Sequence, residues 1–110
     1  MEMIEKPGTV VFVIDPEFGT DSAQEEQRVM FSEKTKTAKN VICNFSKNNY
    51  VSSIGLGLLI SLHKNVMKNG GRLVLCSLSP KVLKLFSDTK FTSLFKICDT
   101  LDEAVKHLNG

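Results

Sequence analysis

The stretch Asn48-Asn49-Tyr50-Val51-Ser52-Ser53-Ile54-Gly55-Leu56-Gly57 holds the residues of this chain whose types and spacing best suit chemistry. Two adjacent serines offer hydroxyls, and two glycines flanking one leucine leave backbone uncovered. As a hydrolytic nucleophile, a serine would need the strained elbow that places glycine two positions before it; Val51 stands there instead. The bases available are His63 and His107, and His63 lies about 15 Å further along the helix that follows. The chain is therefore not expected to be an enzyme. A nucleotide loop fares no better, because Gly55 and Gly57 lack both the lysine of a phosphate loop and a third glycine at dinucleotide spacing. Small-molecule or nucleotide binding stays the weakest of three functional readings.

Two uses of the serines remain. One of them caps the unpaired N–H groups of a helix's first turn. Alternatively, Ser53 accepts a phosphate. A phosphate there meets the positive end of a helix dipole and free amide donors. It also adds a charge of about −1.5 to −2 at neutral pH.

Cys43, Cys76 and Cys98 are odd in number, widely spaced and without a C-x-x-C pair. Each lies in an apolar run, where a free thiol packs as a small hydrophobe. Neither histidine stands at zinc-ligand spacing from a cysteine, so no metal and no other cofactor is expected.

These residues must be positioned by alternating short apolar runs and helical stretches. Thr9 to Ile14 reads as a strand, broken by Asp15-Pro16-Glu17-Phe18-Gly19. Thr20 or Asp21 would cap a largely polar helix running to about Lys36, with Glu25 and Glu26 early in it. Asn40 to Phe45 is the next strand. Ser53 to about Lys68 is the most apolar helix, ended by Asn69-Gly70-Gly71. Arg72 to Leu78 reads as a strand buried on both faces. Ser79 caps and Pro80 starts a short helix. Phe95 to Cys98 is a last strand, and Asp99 or Thr100 caps a final helix with Leu101, Ala104, Val105 and Leu108 at helical spacing. The fold class is α/β, a single compact domain spanning residues 1–110. Its sheet is mostly parallel, of about four or five strands, with about four helices. Partners of such sheets gather at the carboxyl ends of the strands, here Asp15 to Gly19, Ser46 to Ser53 and Ser77 to Pro80. The docking surface expected there consists of Ser52, Ser53, Ile54, Leu56 and Gly57, with Ser79 nearby. Leu56 reads equally well as an apolar anchor or as core.

With 42% apolar and 24% charged residues, the 110-residue chain has ordinary globular composition. Fourteen basic against twelve acidic residues give a net charge of +2, and the lysines are scattered, so nucleic acid is not an expected partner. No apolar run approaches the roughly 20 residues that span a bilayer, so no membrane insertion is expected. Met1 to Lys6 lacks the order of a secretory signal, and the expected location is the cytoplasm.

Tyr50 to Leu59 resembles the signature of STAS domains: an aromatic, an aliphatic, Asp or Ser, Ser, a small residue, then Gly-Leu. Lys68-Asn69-Gly70-Gly71-Arg72-Leu73-Val74-Leu75-Cys76, Leu78 to Val82, Leu94 to Ile97 and Thr100 to Ala104 are similar to the family too. The likeness is close from Val41 to Leu108 and one of layout from Thr9 to Lys39. It implies sequentially ordered strands with helices wound as a right-handed superhelix. Its best-known members are anti-sigma factor antagonists. They bind a kinase-like anti-sigma factor and free the sigma factor it holds; phosphorylation of the serine matching Ser53 inactivates them, and a serine phosphatase restores them. Two neighbours depart from the pattern. Ser52 stands where Asp is frequent, and Ile54 where Ser or Ala is usual. Asp15 to Gly19 also lacks the Gly-x-Leu/Ile-Asp run of the family. The altered Ser52 and Ile54 support the alternative of a STAS scaffold that is not phosphorylated and acts in a signalling assembly or beside a membrane transporter, and the changed Asp15 to Gly19 run points to a docking surface suited to a different partner.

Overall fold

The computed structural model describes residues 1–109; Gly110, the last residue of the expected domain, lies outside them. Five strands form one sheet in the order β1-β2-β3-β4-β5: β1 Glu2–Lys6, β2 Thr9–Val13, β3 Asn40–Asn44, β4 Arg72–Cys76 and β5 Lys96–Cys98. β1 runs antiparallel to β2, and the other pairs are parallel. Among the described residues, four α-helices connect or follow the strands, α1 Gln24–Thr35, α2 Ser53–Lys68, α3 Pro80–Asp88 and α4 Leu101–Asn109, and a single 3-10 turn, Phe91–Ser93, lies between α3 and β5.

Period-two alternation along the strands divides their side chains between two cores. Val10, Phe12, Val41, Cys43, Leu73 and Leu75 face one side and pack against Phe31 of α1, Leu59, Leu62 and Val66 of α2, and Val82 and Phe86 of α3. Val11, Ile42, Val74 and Cys76 face the other, beneath Ala104 and Leu108 of α4. Phe12 and Phe31 meet edge-to-face at 4.7 Å between centroids, which fixes α1 over β2.

Helix α2 has the expected limits, because its signals are local. Ser52 caps its start, and Asn69, Gly70 and Gly71 turn back on its last carbonyls. One expectation needed correction. Neither Thr20 nor Asp21 caps α1, which begins at Gln24 behind Ala23 with no side-chain cap. Thr20 instead donates its hydroxyl to Glu17 O at 2.9 Å, while its own carbonyl accepts from the N–H of Ala23 and Gln24. Residues 21–23 are thus a turn that winds into the helix. The sheet also has an edge strand, β1, in a segment read above only for the absence of a secretory signal.

Candidate functional site

The carboxyl ends of β2, β3 and β4 bring three loops to one edge of the sheet. The loop after β2 is held against the start of α2. Phe18 is buried and packs its ring on Gly55, where an added Cβ would lie 3.1 Å from it. Gly19 adopts φ +77°, and a Cβ on it would come within 2.8 Å of Gly55 N, Gly55 Cα and Ser52 Oγ. Only glycine meets both the conformation and the space.

Ser52 joins this loop to the helix. Its hydroxyl oxygen accepts from Gly55 N–H at 3.0 Å and its proton goes to Gly19 O at 3.2 Å. A carboxylate at position 52 could make the first bond but not the second, since it has no proton to donate. The serine found where aspartate is frequent therefore has a structural use in this chain. Two buried amides complete the frame. Gln27 accepts from Gly19 N–H at 2.9 Å and donates to Glu17 O at 3.3 Å. Asn48 donates to Asp15 O at 3.0 Å and accepts from Tyr50 N–H at the same distance.

Ser53 is the first residue of α2 and is exposed. The cap satisfies Gly55 N–H, and Leu56 N–H donates to Ser52 O at 2.9 Å. The earlier first-turn amides have no partner within the helix. No acidic residue lies in this first turn. A phosphate on Ser53 would thus meet amide donors and a favourable dipole with no carboxylate in the turn to repel it.

The remaining expected residues are near but not alike. Gly57 is exposed with open space around it, whereas Ile54 and Leu56 are half-buried and pack on the core. Leu56 is therefore both partly core and partly accessible. Ser79 is half-buried and caps α3, its hydroxyl accepting from Val82 N–H at 3.2 Å.

Sequence reasoning missed Gln27, the bond from Asn48 to Asp15 and a neighbouring cleft. The cleft, about 220 Å³ and mostly apolar, lies between Tyr50 and Val51 on one side and Lys81, Val82 and Leu85 of α3 on the other. Tyr50 is 62% exposed, with Lys81 Nζ 6.0 Å from its ring centroid. Tyr50 itself was visible as the aromatic of the signature; its pairing with α3 was not.

His63 packs edge-to-face on Phe95 at 5.5 Å, far along α2 from Ser53. Among the described residues, no three His, Cys, Asp or Glu side chains cluster so as to hold a metal ion, and no helix is long and apolar enough to cross a membrane. Cys43, Cys76 and Cys98 are free thiols. Burial raises the Cys43 thiol far above its ordinary range and pushes Cys76 up to about 11.

A STAS-domain family model matches residues 1–104. A protein of Bordetella bronchiseptica named as the anti-sigma factor antagonist BtrV is 24% identical over 97 residues, covering 88% of this chain and 84% of its own. The anti-sigma factor antagonist SpoIIAA in its unphosphorylated form superposes with a TM-score of 0.85 at 24% identity, over 99% of this chain and 96% of its own. The phosphorylated form of the Bacillus cell fate determinant SpoIIAA gives 0.70 at 23% identity, over 96% of each chain. With a family model spanning nearly all of its length and this fold shared, the chain belongs to the STAS domain family.

Proposed function

We propose that this chain is an anti-sigma factor antagonist, a non-catalytic docking domain of the cytoplasm that phosphorylation of Ser53 switches off. The observation that carries the reading is the division of labour between the paired serines. Ser52 is committed to the cap and the loop, whereas Ser53 is exposed at the helix start. The printed names of relatives add support: BtrV is named an antagonist of this kind, and SpoIIAA is known in unphosphorylated and phosphorylated forms.

The partner in this reading is a kinase-like anti-sigma factor that rests on Ser52, Ser53, Ile54, Leu56 and Gly57, with Ser79 at the margin. A phosphate places about −1.5 to −2 charges in the middle of that contact, where desolvation and repulsion oppose docking. A serine phosphatase reverses the change. The second reading, a scaffold without phosphorylation, draws on the neutral Ser52 and the bulky Ile54 that flank the acceptor.

Capture of partners from native cells by the unmodified protein, Ser53→Ala and Ser53→Glu tests the proposal. The first two should hold the same anti-sigma factor, and Ser53→Glu should bind it at least about tenfold more weakly, about 1.4 kcal/mol. Equal binding by all three forms would remove charge as the switch.

A further inference from the structure

Cys76 and Cys98 are direct partners at the last paired position of β4 and β5. Side chains at a shared position of parallel strands project to the same face, and both cysteines belong to the face that α4 covers. Neighbouring strands lie about 4.8 Å apart, within the roughly 4.4–6.8 Å between Cα atoms that a disulfide spans. Both thiols are free; Cys76 is buried and Cys98 half-buried, so a small reagent reaches Cys98 first. Burial is the main cause of the raised Cys76 thiol.

We propose that Cys76 and Cys98 form a redox dithiol that hydrogen peroxide converts reversibly to a disulfide across the edge of the sheet. The Cys98 thiolate attacks one peroxide oxygen, the O–O bond breaks, and the departing hydroxide takes a proton to become water. Cys98 is then a sulfenic acid. The Cys76 sulfur attacks the Cys98 sulfur, the S–O bond breaks, and the second hydroxide leaves as water with the Cys76 proton. Two thiols lose two electrons, and one peroxide becomes two waters. A low-molecular-weight thiol reverses the step by exchange.

Geometry makes this bond a switch rather than a staple. Parallel Cβ vectors stay about as far apart as the strands, slightly beyond the roughly 3.5–4.5 Å that a relaxed disulfide prefers. Closure must draw β5 inward. β5 is a three-residue edge strand, so it can move. The resulting strained bond is easily reduced. Its effect falls on the docking edge, because Cys76 immediately precedes Ser77, whose φ of 60° is unusual for a residue with a side chain, and the Ser79 cap of α3. Cys43 belongs to the core on the opposite face of the sheet and takes no part.

Graded hydrogen peroxide on the full chain, followed by alkylation in denaturant and mass spectrometry, tests the proposal. The expected product has lost two hydrogens, carries one alkyl group on Cys43, and yields a non-reduced peptide joining Cys76 to Cys98. Dithiothreitol should restore three alkylatable thiols. Cys98→Ser and, separately, Cys76→Ala should each abolish the joined peptide. Sulfinic acid accumulating on Cys98 with Cys76 still free would overturn the proposal, as would a link that instead uses Cys43 or a second chain. These outcomes are independent of whether Ser53 is phosphorylated.

Discussion

Replacing Ser52 by Ala, alongside Ser53→Ala, separates the two serines by stability alone. Ser52→Ala removes a helix cap, which costs about 0.5–2 kcal/mol and typically about 1. It also removes the hydroxyl's bond to Gly19 O, a part-buried contact of about 0.5–1.5 kcal/mol. The sum is about 1.5–2.5 kcal/mol. Ser53 is exposed at the first helical position, so Ser53→Ala should fall within about 0.5 kcal/mol of the parent. In urea, with a slope of about 1–1.5 kcal/mol per M, the Ser52→Ala midpoint should drop by about 1–2.5 M while that of Ser53→Ala barely moves. Ser52→Asp should lie between them, because a carboxylate keeps the cap but faces Gly19 O without a proton to share. Equal losses for Ser52→Ala and Ser53→Ala would refute the reasoning. A larger loss for Ser53→Ala would assign the cap to the wrong residue.

Three other substitutions or conditions follow from the same geometry. Gly19→Ala should destabilise the fold by at least about 1–2 kcal/mol from its left-handed backbone alone, with more from the contact with Gly55, as read by thermal unfolding. Gly57→Ala should stabilise by about 0.5–1 kcal/mol, since the site is open and helical, yet weaken capture of the partner if that surface docks. A folded-state Cys76 thiol raised from 9.0 to about 11 means that the unfolded chain loses its proton first, so stability should be steady below about pH 9 and fall between there and about pH 11. That alkaline loss should shrink in Cys76→Ala, measured by urea midpoints against pH.

How much of this was legible in the sequence depended on whether the governing contacts were local. α2 was readable at both ends because its cap bond spans three residues and its exit uses Asn69, Gly70 and Gly71. α3 was readable for the same reason, with Ser79 before Pro80. α1 misled because Thr20 is a capping type whose hydroxyl turns to Glu17 O within the preceding loop. β1 went unread because four of its five residues are exposed and polar or isolated apolar, so it carries no buried run. The frame of the site was hidden more deeply. Asn48 reaches Asp15 and Ser52 reaches Gly19 across 33 positions of sequence, and no local pattern marks either bond. The pairing of Cys76 with Cys98 likewise needed the register of two strands separated by α3.

In the proposed function, the exposed Ser53 beside a structurally committed Ser52 is the modified residue of a docking switch. Phosphosite mapping by mass spectrometry on protein from native cells, separated into free and partner-bound pools, tests it most directly. Phosphate on Ser53 in the free pool and none in the bound pool is the predicted result. Phosphate absent from both pools, equal in both, or carried on Ser52 would contradict it.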